Sequence, residues 1–496
     1  MDTIELIKQK GHRLKRWVAH AAHGARARIG LAGRPSDTGV RAYAQTRREL
    51  LTLALPIAGA MAGEVALGLV DTKLVAGLGP AALGGVGLGM TVLYLFYAVV
   101  FGILRGIKVR AAHAIGEGRP KDARRYAEAG VLIGLVLGSS AFIFGRNPGP
   151  VLAWLGADEA IREPAAQFLG AITWGAPATC AVNAFIQHRQ AIGDARTPLI
   201  VGLTGNLWNA VFGYALIYGK WGLPALGVAG SGYATAVTEA LELVWLGALF
   251  LREERGGATA GLDLARATRE VCEVGVPTGL HFGAELLAFA TFTLILGSLG
   301  SREIAAHQIA MAIIRASFLP GIAVGEAASV LVARALGARN LGEADRVTKA
   351  ALALAIAFMA TCGVIFAAFG AELAGVFTNA SGVLEVTRRL LLVAAVFQVF
   401  DAANIVLRSA LRGAKDVRFV AAVGVTIVWT CIPGSAWLFG RQLGYGAMGG
   451  WFGFVLETLL ASTVLMWRYR RGSWRRRYED AAQSKAVTPL QAAAAE

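Results

Sequence analysis

LALPIAGAMAGEVALGLV (residues 53–70) and VGVPTGLHFGAELLAFAT (residues 274–291) are two versions of one segment. Superposed, they set Pro56 on Pro277 and Glu64 on Glu285, an offset of 285 − 64 = 221 residues. The offset persists downstream, where Leu78 and Gly79 fall on Leu299 and Gly300, Gly116 on Gly337, and Arg125 on Arg346. The chain is therefore two related halves, each carrying an acid deep in an apolar stretch. A carboxylate in a bilayer is costly, and by default it faces a cavity, a partner or an ion path. Parallel repeats with polar groups near the membrane midplane are one design of secondary transporters.

Composition sets the environment. Of 496 residues 55% are hydrophobic and 16% charged, with a mean hydropathy of +0.54. Soluble proteins carry about 25% charged residues, so this is an integral membrane protein. The apolar stretches reach the roughly 20 residues a spanning helix needs. Sixty-two glycines suit close helix packing in lipid. The net charge of +15 gathers in the tails, with Lys8, Lys10, Arg13, Lys15 and Arg16 at one end and Arg468, Arg470, Arg471, Arg475, Arg476 and Arg477 at the other. Beside membrane spans such clusters are read as orientation signals and as attraction to anionic lipids, not as a nucleic-acid surface. Cys180, Cys272, Cys362 and Cys431 lack metal-like spacing and read as small buried hydrophobes. No cleavable signal peptide is expected, because the first 48 residues lack a continuous apolar core. Ile4, Ile7, Leu14 and Val18 have the spacing of a helix lying on the membrane surface, with a disordered basic tail as the alternative.

The pattern predicts an all-α protein of about twelve spans in two six-helix bundles. The first half gives 50–77, 82–106, 126–145, 164–187, 197–219 and 226–251; the second gives 272–298, 303–329, 347–370, 385–408, 417–440 and 446–467. The implied domains are a basic tail (1–48), a first bundle (49–251), a polar linker (252–270), a second bundle (271–467) and a second basic tail (468–496). The basic loops GEGRPKDARR (116–125), HRQAIGDAR (188–196), GARNLGEADR (337–346) and LRGAKDVR (411–418) fall on one side by helix count. The positive-inside rule then makes that side, with both termini, cytoplasmic. Six helices per half give the halves one orientation, related by an axis along the membrane normal.

Three acids lie well inside spans: Glu64, Glu285 and Asp401. Ion coupling is the functional reading, since a carboxyl in an apolar site can load and release a proton near physiological pH. Structural hydrogen bonding between helices is the other. Asp71 follows Glu64 by seven residues, on the same helix face about 10 Å along the axis. Asn206 and Asn209 are amides three apart within one span, suited to lining a cavity or pairing between helices. His281 precedes Glu285 by one turn and is a candidate partner for it. Arg315 falls near mid-depth, where it calls for an acid, with Glu285 or Asp401 as candidates. The repeat sets Arg105 opposite Glu326, 105 + 221 = 326, a candidate inter-half ion pair closing the cytoplasmic mouth near Lys108 and His113. Tyr94, Phe289 and Phe397 are read as core packing first and as substrate-stacking surface second. No HExxH, P-loop or nucleophile-elbow motif is present in a usable setting, so no enzyme is expected. No cytoplasmic segment has the length of an ATPase domain, so uphill transport would draw on an ion gradient.

The chain resembles the MATE (multidrug and toxic compound extrusion) transporters over about residues 45–465, and within them the NorM-type branch. The matching stretches are LALPIAGAMAGEVALGLVDTKLVAGLGPAAL (53–83), YGKWGLPALGVAGSGYAT (218–235), LGSREIAAHQIA (299–310) and FDAANIVLRSALRGAKD (400–416). The resemblance implies two six-helix bundles around a V-shaped cleft that opens alternately to either side. It implies coupling acids at Asp71, Glu285 and Asp401 and an amide site at Asn209. This chain departs from it with Gly213 one turn after Asn209, a gap Glu64 would fill, and with His281 and Arg315. The expected activity is antiport at the inner membrane: export of amphipathic, often cationic organic compounds in exchange for H⁺ or Na⁺, by a monomer with no cofactor. Proton coupling is the favoured form; Na⁺, if used, would sit at Glu285 and Asp401. The alternative is a lipid-linked oligosaccharide flippase of the same superfamily, for which Arg105, Lys108 and Arg315 would supply cationic surface.

Overall fold

The computed structural model describes residues 37–154, 156, 158–253, 262–472, 474–476 and 478. The amino-terminal amphipathic stretch, residues 254–261 of the linker and most of the carboxy-terminal tail lie outside them. Described elements are all helical: α1 (Asp37–Ala76), α2 (Pro80–Gly116), α3 (Pro120–Gly145), the short α4 (Gly149–Trp154), α5 (Glu159–Ile172), α6 (Ala176–Ala191), α7 (Arg196–Tyr218) and α8 (Val228–Arg252) in the first half. The second half has α9 (Leu264–Gly297), α10 (Ser301–Gly337), α11 (Leu341–Gly375), α12 (Ser381–Gly413), α13 (Val417–Ser435), which continues as a π-helical stretch Ala436–Gln442, and α14 (Gly446–Arg471). Among the described residues eleven helices are long and apolar enough to cross a membrane, or twelve if α5 and α6 form one span.

The expected span 164–187 is that bent pair. α5 and α6 meet at 56°. Gly175 caps α6, and Pro177 follows in its first turn, where a missing N–H costs nothing but a continuous helix is interrupted. A Cβ on Gly175 would lie 2.6 Å from Ala236 Cα, so the bend also lets α8 approach. The other spans fall where the pattern puts them, several extending further towards the basic loops.

Backbone geometry repeats with the sequence. Gly79 and Gly300, 221 apart, both have positive φ (105° and 128°) at the hairpins that start α2 and α10. Gly118 (φ 73°) has Arg339 (φ 58°) as its counterpart, 118 + 221 = 339, so the second half meets the same turn with a residue that bears the left-handed strain. Gly116 and Gly337 make reciprocal contacts. A Cβ on Gly116 would lie 2.0 Å from Arg334 O, and one on Gly337 2.3 Å from His113 O. The ends of α2 and α10 therefore cross backbone to backbone, small residues permitting the approach.

Burial rises steeply towards that crossing. α10 is a mixture of exposed and buried positions over residues 301–320 and almost wholly buried over 321–337. α2 shows the same gradient, with a largely buried stretch from Val100 to Ala114. The halves thus pack together at the end carrying the basic loops and leave α2 and α10 open towards the other. One large apolar cluster, with Leu104, Ile107, Val330, Leu336, Leu407 and Trp474 among its members, joins both halves at the closed end. The second half has its own aromatic core, in which Phe292, His307, Trp451 and Phe454 meet edge to face. Phe397 belongs to that core, Phe289 stacks on Phe454, and Tyr94 is 62% exposed. The four cysteines are unpaired.

Candidate functional site

A polar stripe runs through the second half along α12. Gln398, Asp401, Asn404, Arg408 and Arg412 follow at steps of three or four residues, hence on one helix face, over about 21 Å. A buried polar group needs a partner to offset its desolvation, and four members have one. Gln398 donates to Ser317 Oγ (2.5 Å). Asn404 donates to Glu457 Oε1 on α14 (3.4 Å), a long bond. Arg408 Nη1 lies 3.1 Å from both carboxylate oxygens of Glu285 on α9. Arg412 meets Glu326 Oε1 at 3.3 Å. Asp401 is buried and has no ion pair among the described residues, yet it lies within electrostatic reach of Arg408 and Glu285.

At the closed end Glu326 gathers three cations. Lys108 donates to Oε2 at 2.5 Å and to Gln190 Oε1 at 2.9 Å, while Arg105 and Arg412 approach Oε1 at 3.5 and 3.3 Å. The repeat-derived pair Arg105–Glu326 is thus formed, within a hub linking α2, α6, α10 and α12. Phe282 sits among the guanidiniums, with Arg105 at 4.2 Å, Arg412 at 5.3 Å and Arg408 at 6.0 Å from its centroid. His113 Nε2 donates to Gly413 O (2.8 Å), tying the end of α2 to the end of α12.

The first half arranges its acids differently. Glu64 is exposed on α1, and Asp71 is half-buried seven residues on; neither has an ion pair among the described residues. Glu239 and Glu242 on α8 are close enough to Glu64 to interact electrostatically. Glu242 packs on the backbone of α7: a Cβ on Gly205 would meet its Oε1 at 1.7 Å. Asn206 lies against Gly63, beside Glu64. Asn209 is buried and donates to Thr235 Oγ1 on α8 (3.0 Å), so of the two amides it is the inter-helix partner.

Two expected partnerships are not formed. Arg315 is exposed on α10 and pairs with no acid among the described residues; the guanidinium at Glu285 is that of Arg408, whose long side chain reaches α9 from the polar face of α12. His281 is buried with its Nε2 against Gly424, where a Cβ would lie 2.3 Å away, and makes no hydrogen bond to Glu285. His281 and Glu285, one turn apart, share a face of α9 and interact electrostatically, but the imidazole Nε2 is turned to α13. The residues missed from sequence are Glu239, Glu242, Asn404, Arg408, Arg412 and Glu457. The signal was available: each is polar within or at the edge of an expected span, the same criterion that selected Glu285 and Asp401.

Repeated halves, mid-membrane carboxylates and closure at one end define the class: a polytopic membrane protein built as a two-bundle transporter. Comparison gives the family. The MatE family model matches residues 56–215 and again 277–437, two blocks that start 277 − 56 = 221 residues apart. The chain belongs to the MatE family. It is 31% identical over 456 residues to a probable multidrug resistance protein NorM of Burkholderia mallei, covering 89% of this chain and 95% of that one. It is 28% identical to the multidrug resistance protein MdtK of Proteus mirabilis, over 86% and 95% of the two chains. Among solved structures, a Vibrio cholerae MATE transporter superposes with a TM-score of 0.81 at 15% identity, over 87% of this chain and 98% of that one. A MOP-superfamily transporter from Pyrococcus furiosus gives 0.77 at 20% identity, over 88% and 96%. At these identities the structural likeness speaks for the fold.

Proposed function

We propose that this protein is a secondary active antiporter of the plasma membrane, with both termini cytoplasmic, which exports amphipathic and often cationic organic compounds in exchange for protons. The observation that carries the reading is the placement of mid-membrane acids in both halves of a molecule closed at one end only. Relatives named as multidrug resistance proteins support the substrate class. Asp401, with Glu285, Glu64 and Asp71, forms the ion-responsive set. A ligand shifts a two-state equilibrium only by its differential affinity for the states. Proton loading at Asp401 changes the charge of the α12 stripe, and α12 reaches the Glu326 hub that holds the halves together; loading therefore biases opening of that end. Organic cations are drawn to the unpaired acids of the first half, Glu64, Glu239 and Glu242.

The test is efflux of a fluorescent organic cation from proteoliposomes under an imposed proton or sodium gradient. Wild type is expected to respond to the proton gradient and Asp401→Asn to lose that response. Gradient-independent flux in wild type would reject antiport.

A further inference from the structure

Glu285 is the acid that the repeat sets deep in the second half, and its ion position is already filled. Both of its oxygens face the Arg408 guanidinium at 3.1 Å, and the two side chains are 17% and 13% exposed. An alkali cation entering such a site must exchange its hydration shell for several oxygen ligands. Here the carboxylate oxygens are turned to a fixed cation that repels a second one at short range. Asp401 and Glu457 also interact with Arg408 electrostatically, but neither has an ion pair of its own among the described residues. Arg412, the next cation along α12, is turned to Glu326, and His281 faces Gly424. One guanidinium therefore serves three carboxylates, with Glu285 holding it.

We propose that Arg408 is a tethered cation that occupies the ion position at Glu285, so that the second half excludes Na⁺ and leaves Asp401, beside Asn404 and Glu457, to exchange a proton. The first half carries no such tether. Glu285 corresponds to Glu64 at 221 residues; along α6 and α12 the offset is 222, as the positive-φ turns after them show (Gly193, φ 92°, and Lys415, φ 61°), so Arg408 corresponds to Ile186, 408 − 222 = 186. An uncharged side chain stands where the second half has a guanidinium, and Glu64 is exposed without an ion pair among the described residues. Arg408→Gln removes the fixed charge and keeps a polar side chain at that position. The inference rests on the reading of the chain as an ion-coupled transporter and names the ion its second half rejects.

Equilibrium binding of radioactive Na⁺ to the purified full-length protein tests it without relying on transport. Wild type is expected to have no Na⁺ site that Glu285→Gln removes. Arg408→Gln is expected to bind Na⁺ at least about tenfold more tightly, 1.4 kcal/mol, with the gain abolished by adding Glu285→Gln. Arg408→Lys keeps a tethered charge and should stay without the site. A Glu285-dependent Na⁺ site in wild type overturns the proposal, and it does so even if Arg408→Gln does not fold. So does a folded, monodisperse Arg408→Gln that binds Na⁺ no better than wild type. Absence of drug efflux in vesicles would reject the antiporter reading and leave this binding result standing, so the two failures are separable.

Discussion

Glu64 and Glu285 occupy the same place in two copies of one bundle and live in different surroundings. Glu285 is locked to Arg408 and stands near Phe282, His281 and the Glu326 hub. Glu64 is exposed, and its nearest charged company is two further glutamates. The repeat has conserved backbone position, down to the positive φ of Gly79 and Gly300, while the partners have diverged. The second half turns its buried acids and bases into a nearly balanced network; the first half leaves its acids for something to bind. Under the antiport we propose, one half would hold the molecule closed and respond to protons and the other would receive a cation.

The contrast can be broken by substitution. The largest effect is expected at Glu326, whose removal leaves Lys108, Arg412 and the less buried Arg105 uncompensated. Loss of one partner from a buried ionic group costs about 3–5 kcal/mol, so Glu326→Ala should sharply lower thermal stability in detergent micelles; an unchanged melting curve would show that the hub does not hold the halves. Next is the repeat pair itself. Glu285→Gln strands Arg408 and should cost about 3 kcal/mol, whereas Glu64→Gln, at an exposed position without an ion pair, should stay within about 0.5 kcal/mol. Equal destabilisation by the two, measured in parallel by thermal unfolding, would erase the distinction drawn between the halves.

A smaller effect tests the symmetry in place of the difference. Gly116→Ala and Gly337→Ala each push a methyl onto a backbone carbonyl of the opposing helix, and overpacking of this kind costs about 1–3 kcal/mol. Both should loosen the closed end equally, raising the labelling rate of a cysteine introduced at Ala114 or Ala335; a response from only one of them would mean the crossing is not two-fold. The mildest change expected is Asn209→Ala, which removes a single hydrogen bond to Thr235 at about 1 kcal/mol. Its signature is a small stability loss that Thr235→Val reproduces and that does not add in the double variant.

Much of the fold was legible because lipid imposes strong rules on sequence. A span must be long and apolar, its ends are marked by Gly, Pro or charge, and a repeat shows as a constant offset. Those rules give the bundles, the hairpins at Gly79 and Gly300 and the pairing of Arg105 with Glu326. They miss the bend between α5 and α6, since Gly175 and Pro177 within an apolar run are compatible with a continuous span until α8 is seen to pack into the bend. They also misassign the arginine at Glu285. Arg315 falls near mid-depth of its expected span and Arg408 at the end of its own, so depth alone favours the wrong guanidinium.

By itself, then, the sequence determines that this is a two-fold-repeated helical membrane protein with acids at Glu64, Glu285 and Asp401, because periodicity, hydropathy and offset are properties of the chain alone. Which cation each acid meets was decided only by the tertiary structure. Partner choice depends on helix rotation and on close approach across glycines: a turn of α12 brings Arg408, not Arg315, to Glu285, while Gly205 lets Glu242 come in beside Glu64. One helical position is 100° of rotation, enough to convert an ion pair into an exposed charge without altering any pattern that a single chain displays.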